Sequence, residues 1–357
     1  MNILITGAAG FIGSYLSRAL ITKGYDVIGI DNFHEYYHRK AKEFNLDLTR
    51  LWANQKVDKT KLDEISPVFD KFQQYYKWDK KTSKGKFEFK EIDIRDYDAL
   101  RKLFRYYKID KVVHLAAMAG VGLSIDKPRL YTEVNIDGSV NLLDLSKNHN
   151  VQSFVFASSS SVYGARNTVP FKENENVDKP MSPYASTKRM MEIMNYTFHQ
   201  IYDLSIINAR IFGPIYGPLQ RPFRMIAQRF LNYTYHNKPM PIFGDGKEGG
   251  RDTTYIDDEI DGLIKALESN IEFDTINIGT GNVVTPIEVA NLVKDILKKG
   301  TIKVGPRPKS EIPITYADTT KAKKLLDFEA KWNFEDGLRR QAEIYLMMPK
   351  WYKNLPA

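Results

Sequence analysis

The chain has 357 residues, 43% of them hydrophobic, with 52 basic against 44 acidic side chains and no cysteine. That is apolar matter for one large domain or two joined ones. The missing cysteine excludes disulfides, thiolate metal sites and cysteine nucleophiles and fits a reducing compartment. The net charge of +8 invites nucleic acid, yet no zinc spacing, RNP-type aromatic motif or helix-turn-helix pattern accompanies it, and an anionic small substrate explains part of the excess equally well.

The first elements read as a β-α-β unit. Residues 2–6 are a short apolar strand, Gly7-Ala8-Ala9-Gly10-Phe11-Ile12-Gly13 follows at once, a helical pattern runs to Leu20, and residues 25–30 return as a second strand. In that setting Gly7 makes the tight turn, Gly10 lets backbone approach a pyrophosphate at a helix N-terminus, and Gly13 permits close helix–strand packing. Phe11 and Ile12 belong to the same cofactor-binding turn. Asp31, followed by Asn32, ends the second strand where a carboxylate accepts from the adenosine ribose hydroxyls and repels a 2′-phosphate, so NAD is expected over NADP. A glycine turn starting at residue 7 leaves no room for a signal peptide, and no apolar run of about twenty residues is present to span a bilayer. A cytoplasmic location without membrane attachment is therefore expected.

Residues 52–86 interleave Lys56, Lys59, Lys61, Lys71, Lys77, Lys80, Lys81, Lys84 and Lys86 with Phe69, Phe72, Tyr75, Tyr76 and Trp78. Aromatics among lysines suit RNA, a membrane surface or a partner. The balancing Asp58, Asp63, Glu64, Asp70 and Asp79 favour a helical insert instead, with aromatics packed on the domain and lysines in solvent.

Further on, strands and helices keep alternating, which argues for a parallel sheet covered on both faces. Residues 87–92 are a strand leading to Asp93 and Ile94, where the aspartate is positioned to meet the adenine. Residues 111–117 are another strand, and its last residues Leu115, Ala116 and Ala117 let backbone lie close to the cofactor. His114 reads as structural, since a single strand-end histidine is more often packed and hydrogen-bonded than a ligand. Residues 151–157 deliver Ser159-Ser160-Ser161-Val162-Tyr163 to the carboxyl edge of the sheet, where ligands bind in open α/β folds. Tyr184-Ala-Ser-Thr-Lys188 follows. A tyrosine general base near neutral pH needs a cation beside its phenolate, and a helix opened by Tyr184 brings Lys188 onto the same face one turn on, where it can also bind a cofactor ribose. After a strand at residues 205–210 the pattern loosens into Gly213-Pro214, Gly217-Pro218 and Gly244-Asp245-Gly246 turns, as a smaller capping domain requires. The expected fold is an α/β, doubly wound parallel sheet of Rossmann type in residues 1–205. Residues 206–357 are expected to be mainly a smaller α/β substrate-binding domain, with some segments returning to the first.

Together these residues resemble an extended short-chain dehydrogenase/reductase, and within that group the NAD-dependent nucleotide-sugar epimerases. The likeness runs from Met1 to about Tyr352. The details most similar to UDP-glucuronate 4-epimerases are Asp31-Asn-Phe-His-Glu-Tyr36-Tyr37, Leu115-Ala-Ala-Met-Ala-Gly-Val121, the four-serine run, Gln220-Arg221-Pro222 and Ile312-Pro-Ile-Thr-Tyr316-Ala-Asp318. Gly249-Gly-Arg251-Asp-Thr-Thr-Tyr255-Ile-Asp-Asp258 resembles the segment whose arginine holds the substrate diphosphate in that group.

The resemblance implies that Ser159, Tyr184 and Lys188 are catalytic. Tyr184 as phenolate takes the C4 hydroxyl proton, directly or through Ser159, the C4 hydride passes to NAD, and a 4-keto sugar turns over before the hydride returns. Ser160, Ser161, Arg210, Gly213, Arg221, Arg251 and Arg307 are the implied substrate-binding residues. Related 4,6-dehydratases carry an Asp-Glu pair where Ser160-Ser161 stand, and glucuronate decarboxylases a glutamate at the second position. Two hydroxyls can instead bind a substrate carboxylate without repelling it, which favours UDP-glucuronate to UDP-galacturonate. The alternatives are a 4-epimerase of UDP-glucose or UDP-N-acetylglucosamine, a UDP-glucuronate decarboxylase, a non-catalytic NAD-binding regulator and, through the insert, a nucleic-acid-associated protein. Three features depart from the family: Gly122 stands where an arginine is usual, Gly213 replaces Asn or Thr, and residues 52–86 are an insert. No metal is expected. The helices near residues 131–148 and 184–202 are expected to pair in a homodimer.

Overall fold

The computed structural model describes residues 1–76, 85–165, 168–221, 225–306 and 314–355. It opens with the β-α-β unit: β1 (Asn2–Thr6), α1 (Phe11–Thr22) and β2 (Asp26–Asp31). Two helices, α2 (Arg39–Trp52) and α3 (Lys59–Tyr75), precede β3 (Phe87–Glu91), α4 (Tyr97–Tyr106) and β4 (Lys111–His114). Then α5 (Val121–Asp126) and α6 (Pro128–Thr132) lead through a π-helical turn at Glu133–Asp137 into α7 (Gly138–Asn148), β5 (Ser153–Ser159), α8 (Pro183–Tyr202) and β6 (Ile206–Ile211).

The remaining chain gives α9 (Ile226–Tyr235), β7 (Met240–Phe243), β8 (Gly250–Asp252), α10 (Ile256–Glu268), β9 (Phe273–Ile278), β10 (Val283–Val284) and α11 (Pro286–Leu297). It closes with β11 (Ile302–Gly305), β12 (Ile314–Thr315), α12 (Thr320–Leu326), α13 (Phe334–Met347) and α14 (Lys350–Lys353).

Seven strands form one parallel sheet in the order β3-β2-β1-β4-β5-β6-β9. The period-two alternation of side chains explains how it fills two cores. On β1, Ile3 and Ile5 join one apolar cluster while Leu4 joins the other; on β5, Val155 takes the first side and Phe154 and Phe156 the second. The order reverses between β1 and β4, and in such sheets the crevice at the carboxyl ends of the strands at that switch is where ligands bind. Both β6 and β9 lie beyond residue 205 yet belong to this sheet. The smaller sheets are β10-β8-β12 and β11-β7; the first is anchored near β9 by Asp252 on β8, whose buried carboxylate accepts from the backbone amides of Thr280, Gly281 and Ala317 at 2.9, 3.0 and 3.0 Å.

The strand expected over 111–117 stops at His114. The amides of Leu115 and Ala116 turn instead to the Thr6 hydroxyl, at 3.1 and 3.0 Å. The same hydroxyl meets His114 Nδ1 at 2.7 Å, and Nε2 meets Ser139 Oγ at 2.7 Å. Burial and the nearby Lys188 push the His114 pKa down to about 3, so this imidazole is neutral and structural, as its sequence context suggested.

In the lysine-rich stretch, α3 is capped by Asp58 and buries Ile65, Val68 and Phe72 against the domain, with Tyr76 buried just past its end. Lys61 pairs with Asp47 at 3.2 Å and Lys71 with Glu343 at 2.5 Å, while Trp351 Nε1 donates to Glu64 at 2.7 Å. The helix therefore joins α2 to the C-terminal helices. Lys77, Trp78, Asp79, Lys80, Lys81 and Lys84 lie outside the described residues. Among the described residues, no helix is long and apolar enough to cross a membrane and no cluster of three potential metal ligands occurs.

Candidate active site

A cavity of about 520 Å³ runs along the carboxyl edge of the main sheet and under the segments that follow β6. One end is built from backbone. Gly7 has φ +73°, and a Cβ there would sit 3.1 Å from the Ala116 amide nitrogen. A Cβ on Gly13 would collide with the Gly7 carbonyl oxygen. Gly10 caps α1 without a side-chain hydrogen bond, which leaves the first amides of the helix for an anion. Gly7, Gly10, Phe11, Ile12, Gly13, Asp31, Asn32, Ile94, Leu115, Ala116 and Ala117 all line the cavity. A close-packed glycine cradle, at a helix N-terminus and beside a buried strand-end carboxylate, fits a dinucleotide.

Two details at this end differ from expectation. Asp93 is absent from the cavity wall. Burial pushes its pKa up, but hydrogen bonds from Arg95 and Asn32 prevail and hold it at about 2; Asn32 Nδ2 donates to it at 2.8 Å. It thus steadies Asn32, and Ile92 and Ile94 form the wall instead. Asp31, in turn, accepts from the Phe33 amide at 2.8 Å and from Lys42 Nζ at 3.2 Å, with both side chains of the ion pair buried. Lys42 lines the cavity and was missed in the sequence, although a lone lysine on the buried face of an amphipathic helix was a usable signal.

The other end is built from side chains. Ser182 caps α8 by accepting from the Ala185 amide at 3.1 Å and Pro183 occupies the first turn, so Tyr184 and Lys188 project from the start of the helix on one face. Ser159 ends β5, and its hydroxyl accepts from the Ser161 amide at 3.2 Å and donates to the Ser161 hydroxyl at 3.1 Å. Burial raises the Tyr184 pKa, while a hydrogen bond with Ser159 and the charge of Arg221 oppose that rise. Lys188 is buried, donates to the Ala157 carbonyl at 2.7 Å and has its pKa pulled down to about 7 by burial. Arg221, from the segment after β6, thus adds a positive charge on Tyr184 that the i,i+4 spacing of Tyr184 and Lys188 did not disclose.

Ser160, Ser161, Gly213, Arg221 and Arg251 line the cavity, together with Tyr36, Tyr37 and His34 from the loop after β2. The Arg221 guanidinium lies 4.9 Å from the Tyr36 ring centroid, which links the two sides of the cavity. Arg307 lies outside the described residues. Arg210 is a correction. It is 2% exposed, does not line the cavity, and gives Nε and Nη2 to Glu192 at 2.9 and 2.8 Å. A guanidinium so engaged in the core is not available to substrate.

The family described as "NAD dependent epimerase/dehydratase family" matches residues 3–279. A UDP-glucuronate 4-epimerase of Thermodesulfobacterium geofontis is 37% identical over 342 residues, 94% of each chain. Among solved structures, a point mutant of the Bacillus cereus UDP-glucuronic acid 4-epimerase, in complex with UDP-4-deoxy-4-fluoro-glucuronic acid and NAD, superposes with TM-score 0.81 at 31% identity, covering 98% of this chain and all of that one. The UDP-glucose 4-epimerase of Thermotoga maritima, solved with UDP-glucose, gives TM-score 0.77 at 29% identity, covering 97% and 99%. Glycine cradle, strand-end serines, tyrosine–lysine helix and these likenesses agree, and the chain belongs to the NAD-dependent epimerase/dehydratase family.

Proposed function

We propose that this chain is an isomerase that inverts C4 of a UDP-sugar, converting UDP-glucuronate to UDP-galacturonate, with NAD tightly held and regenerated in each cycle. The observation that carries the choice is the lining of the cavity. Among its described residues Asp31 is the sole carboxylate, and it belongs to the ribose end, paired with Lys42. Ser159, Ser160, Ser161 and Tyr184 supply hydroxyls at the other end, as proton transfer at an alcohol needs and as dehydration, with its extra acid and base, does not.

Gly7, Gly10, Phe11, Ile12, Gly13, Asp31, Asn32, Ile94, Leu115, Ala116 and Ala117 hold the cofactor, with Lys42 added. Bound NAD supplies an acceptor that takes the C4 hydride and gives it back, so no net redox change occurs. Tyr184 removes the C4 hydroxyl proton, directly or through Ser159, and returns it to the inverted alcohol. Lys188 keeps positive charge at the ribose and phenolate. Arg221 and Arg251 hold the diphosphate while the sugar turns over, and Ser160 and Ser161 meet the sugar substituent at C5.

A second reading, 4-epimerisation of neutral UDP-hexoses, is favoured by one feature. Gly122 stands where the resembling group has an arginine and does not line the cavity, so this position supplies no cation to read a charged C5 substituent. Incubation with UDP-glucuronate, followed by chromatography and proton NMR, separates the cases: UDP-galacturonate growing to equilibrium supports the first reading. UDP-xylose or a 4-keto pentose identifies a decarboxylase, and no change moves the substrate to UDP-glucose or UDP-N-acetylglucosamine.

A homodimer is part of the same proposal. Met190, Ile193 and Tyr196 on α8 are 52%, 51% and 51% exposed at a spacing that makes one apolar stripe. Light scattering at twice the monomer mass supports it, and a monomer contradicts it. We place the reaction in the cytoplasm, as a source of uronic acid donors for polysaccharide assembly.

A further inference from the structure

Glu192 lies one helical turn beyond Lys188 and two beyond Tyr184 on α8, it is buried, and it touches neither cavity nor solvent. Its carboxylate nevertheless gathers the elements that make the proton-transfer end. Oε1 accepts from the Ser158 hydroxyl at 2.6 Å and from Arg210 Nε at 2.9 Å; Oε2 accepts from Arg210 Nη2 at 2.8 Å and from Arg189 Nη1 at 3.3 Å. Ser158 directly precedes Ser159 on β5, and Arg210 is its register partner on β6. One buried carboxylate thus ties α8 to the ends of two adjacent strands, one residue from Ser159, whose hydroxyl helps hold down the Tyr184 pKa. An ion pair on the surface would hold its partners loosely; a bidentate one in the core fixes orientation as well as distance.

We propose that Glu192, clamped by Arg210 and Ser158, is a positioning residue for epimerisation, setting the distance between Ser159 and the Tyr184–Lys188 face of α8 and placing its negative charge behind Lys188. The inference rests on the roles proposed above for Tyr184, Ser159 and Lys188. The charge has a second consequence. Glu192 on the same helix and His114 on β4 interact with the charge of Lys188, Arg210 on β6 and Arg189 on α8 hold Glu192, and β5 offers the Ala157 carbonyl and the Phe156 ring. Of these, Glu192 favours the ammonium form against the burial that lowers its pKa, and His114 is neutral. Without the carboxylate, Lys188 loses its proton at a lower pH.

The test compares Glu192→Gln, which keeps shape and removes charge, with Glu192→Asp, which keeps charge and shortens the reach, measuring bound NAD, KM for the UDP-sugar and kcat against pH. Expected for Glu192→Gln are unchanged NAD content, KM within about twofold, a kcat lower by about 10- to 100-fold, and an alkaline limb of kcat displaced to lower pH. Glu192→Asp restores the limb but not the full rate. Wild-type kcat and an unmoved alkaline limb in folded, NAD-loaded Glu192→Gln overturn the proposal. Because removing one partner of a buried pair threatens folding, the double variant Glu192→Gln/Arg210→Gln removes both charges, and the same displaced limb is required of it. Tyr184→Phe is assayed in parallel: if it is active, the underlying reading fails and the inference with it, whereas an inactive Tyr184→Phe beside an unaffected Glu192→Gln refutes the inference alone.

Discussion

The two ends of the cavity are made of different material. At the cofactor end the wall is mostly main chain: at Gly7 and Gly10 a Cβ would be a tight contact, at Gly13 it would collide with the Gly7 carbonyl, and Leu115, Ala116 and Ala117 continue the wall from β4. At the proton-transfer end the wall is side chain, and each group depends on another far along the sequence: Tyr184 on Ser159 and Arg221, Lys188 on the Ala157 carbonyl, Ser158 on Glu192. A backbone wall is specified by a few local residues, whereas a side-chain wall is specified by pairs that only the fold brings together. The first end should consequently fail by losing its ligand, and the second by losing rate with its ligands still bound.

The largest expected effect breaks the second end. Tyr184→Phe removes the group that carries the proton and should lower kcat by roughly 10²–10⁴-fold while NAD, released by denaturation and quantified, stays at its wild-type ratio. A variant that has shed its NAD would mean that Tyr184 serves the cofactor more than the proton. Phe72→Ala sits outside both ends. Phe72 is 1% exposed, with its ring centroid 5.7 Å from that of Tyr15 and 5.2 Å from that of Tyr76, so truncation should cost about 3–5 kcal/mol of stability by denaturant titration. Activity per folded molecule should hold within about twofold; a selective loss of activity would give the insert a part in catalysis. Gly13→Ala attacks the first end. The added methyl meets the Gly7 carbonyl oxygen and forces the turn apart, at about 1–3 kcal/mol. Its signature should be weaker NAD binding by titration, by about tenfold or more, with kcat nearly restored at saturating NAD; a wild-type affinity would show that the turn relaxes freely.

The same contrast explains what could be read beforehand. The opening β-α-β unit and the cofactor cradle follow from local signals: an apolar run, glycines at fixed offsets, an aspartate at the next strand end. The tyrosine–lysine helix was legible because its spacing is helical. Arg210 was misread because the family resemblance alone placed it at the substrate, and nothing local says that Glu192, eighteen residues earlier, already holds it. Lys42 and Asp31 are eleven residues apart, and the loop between them hid the pairing. The insert was legible as helix plus packing because α3 carries its own cap in Asp58 and an apolar face in Ile65, Val68 and Phe72.

A last prediction concerns a carboxyl that neither end uses. Glu259, on α10, is fully buried, and among the described residues neither of its oxygens has a hydrogen-bond partner. Burial, reinforced by Asp258 and Asp252, raises its pKa well above the ordinary value of 4.5. The folded chain therefore keeps a proton that the unfolded chain has released, and stability is lost as pH rises above about 4.5 toward the folded pKa. Glu259→Leu removes both this loss and the unmet acceptors, so it should raise stability at neutral pH by on the order of 1 kcal/mol. Its advantage over wild type should widen between pH 5 and pH 8. Other buried acids, Asp257 among them, with a pKa near 7, titrate in both proteins and cancel in the difference. A variant less stable than wild type across that range would mean that Glu259 is satisfied in solution, and that the core beside the main sheet has a polar partner for it after all.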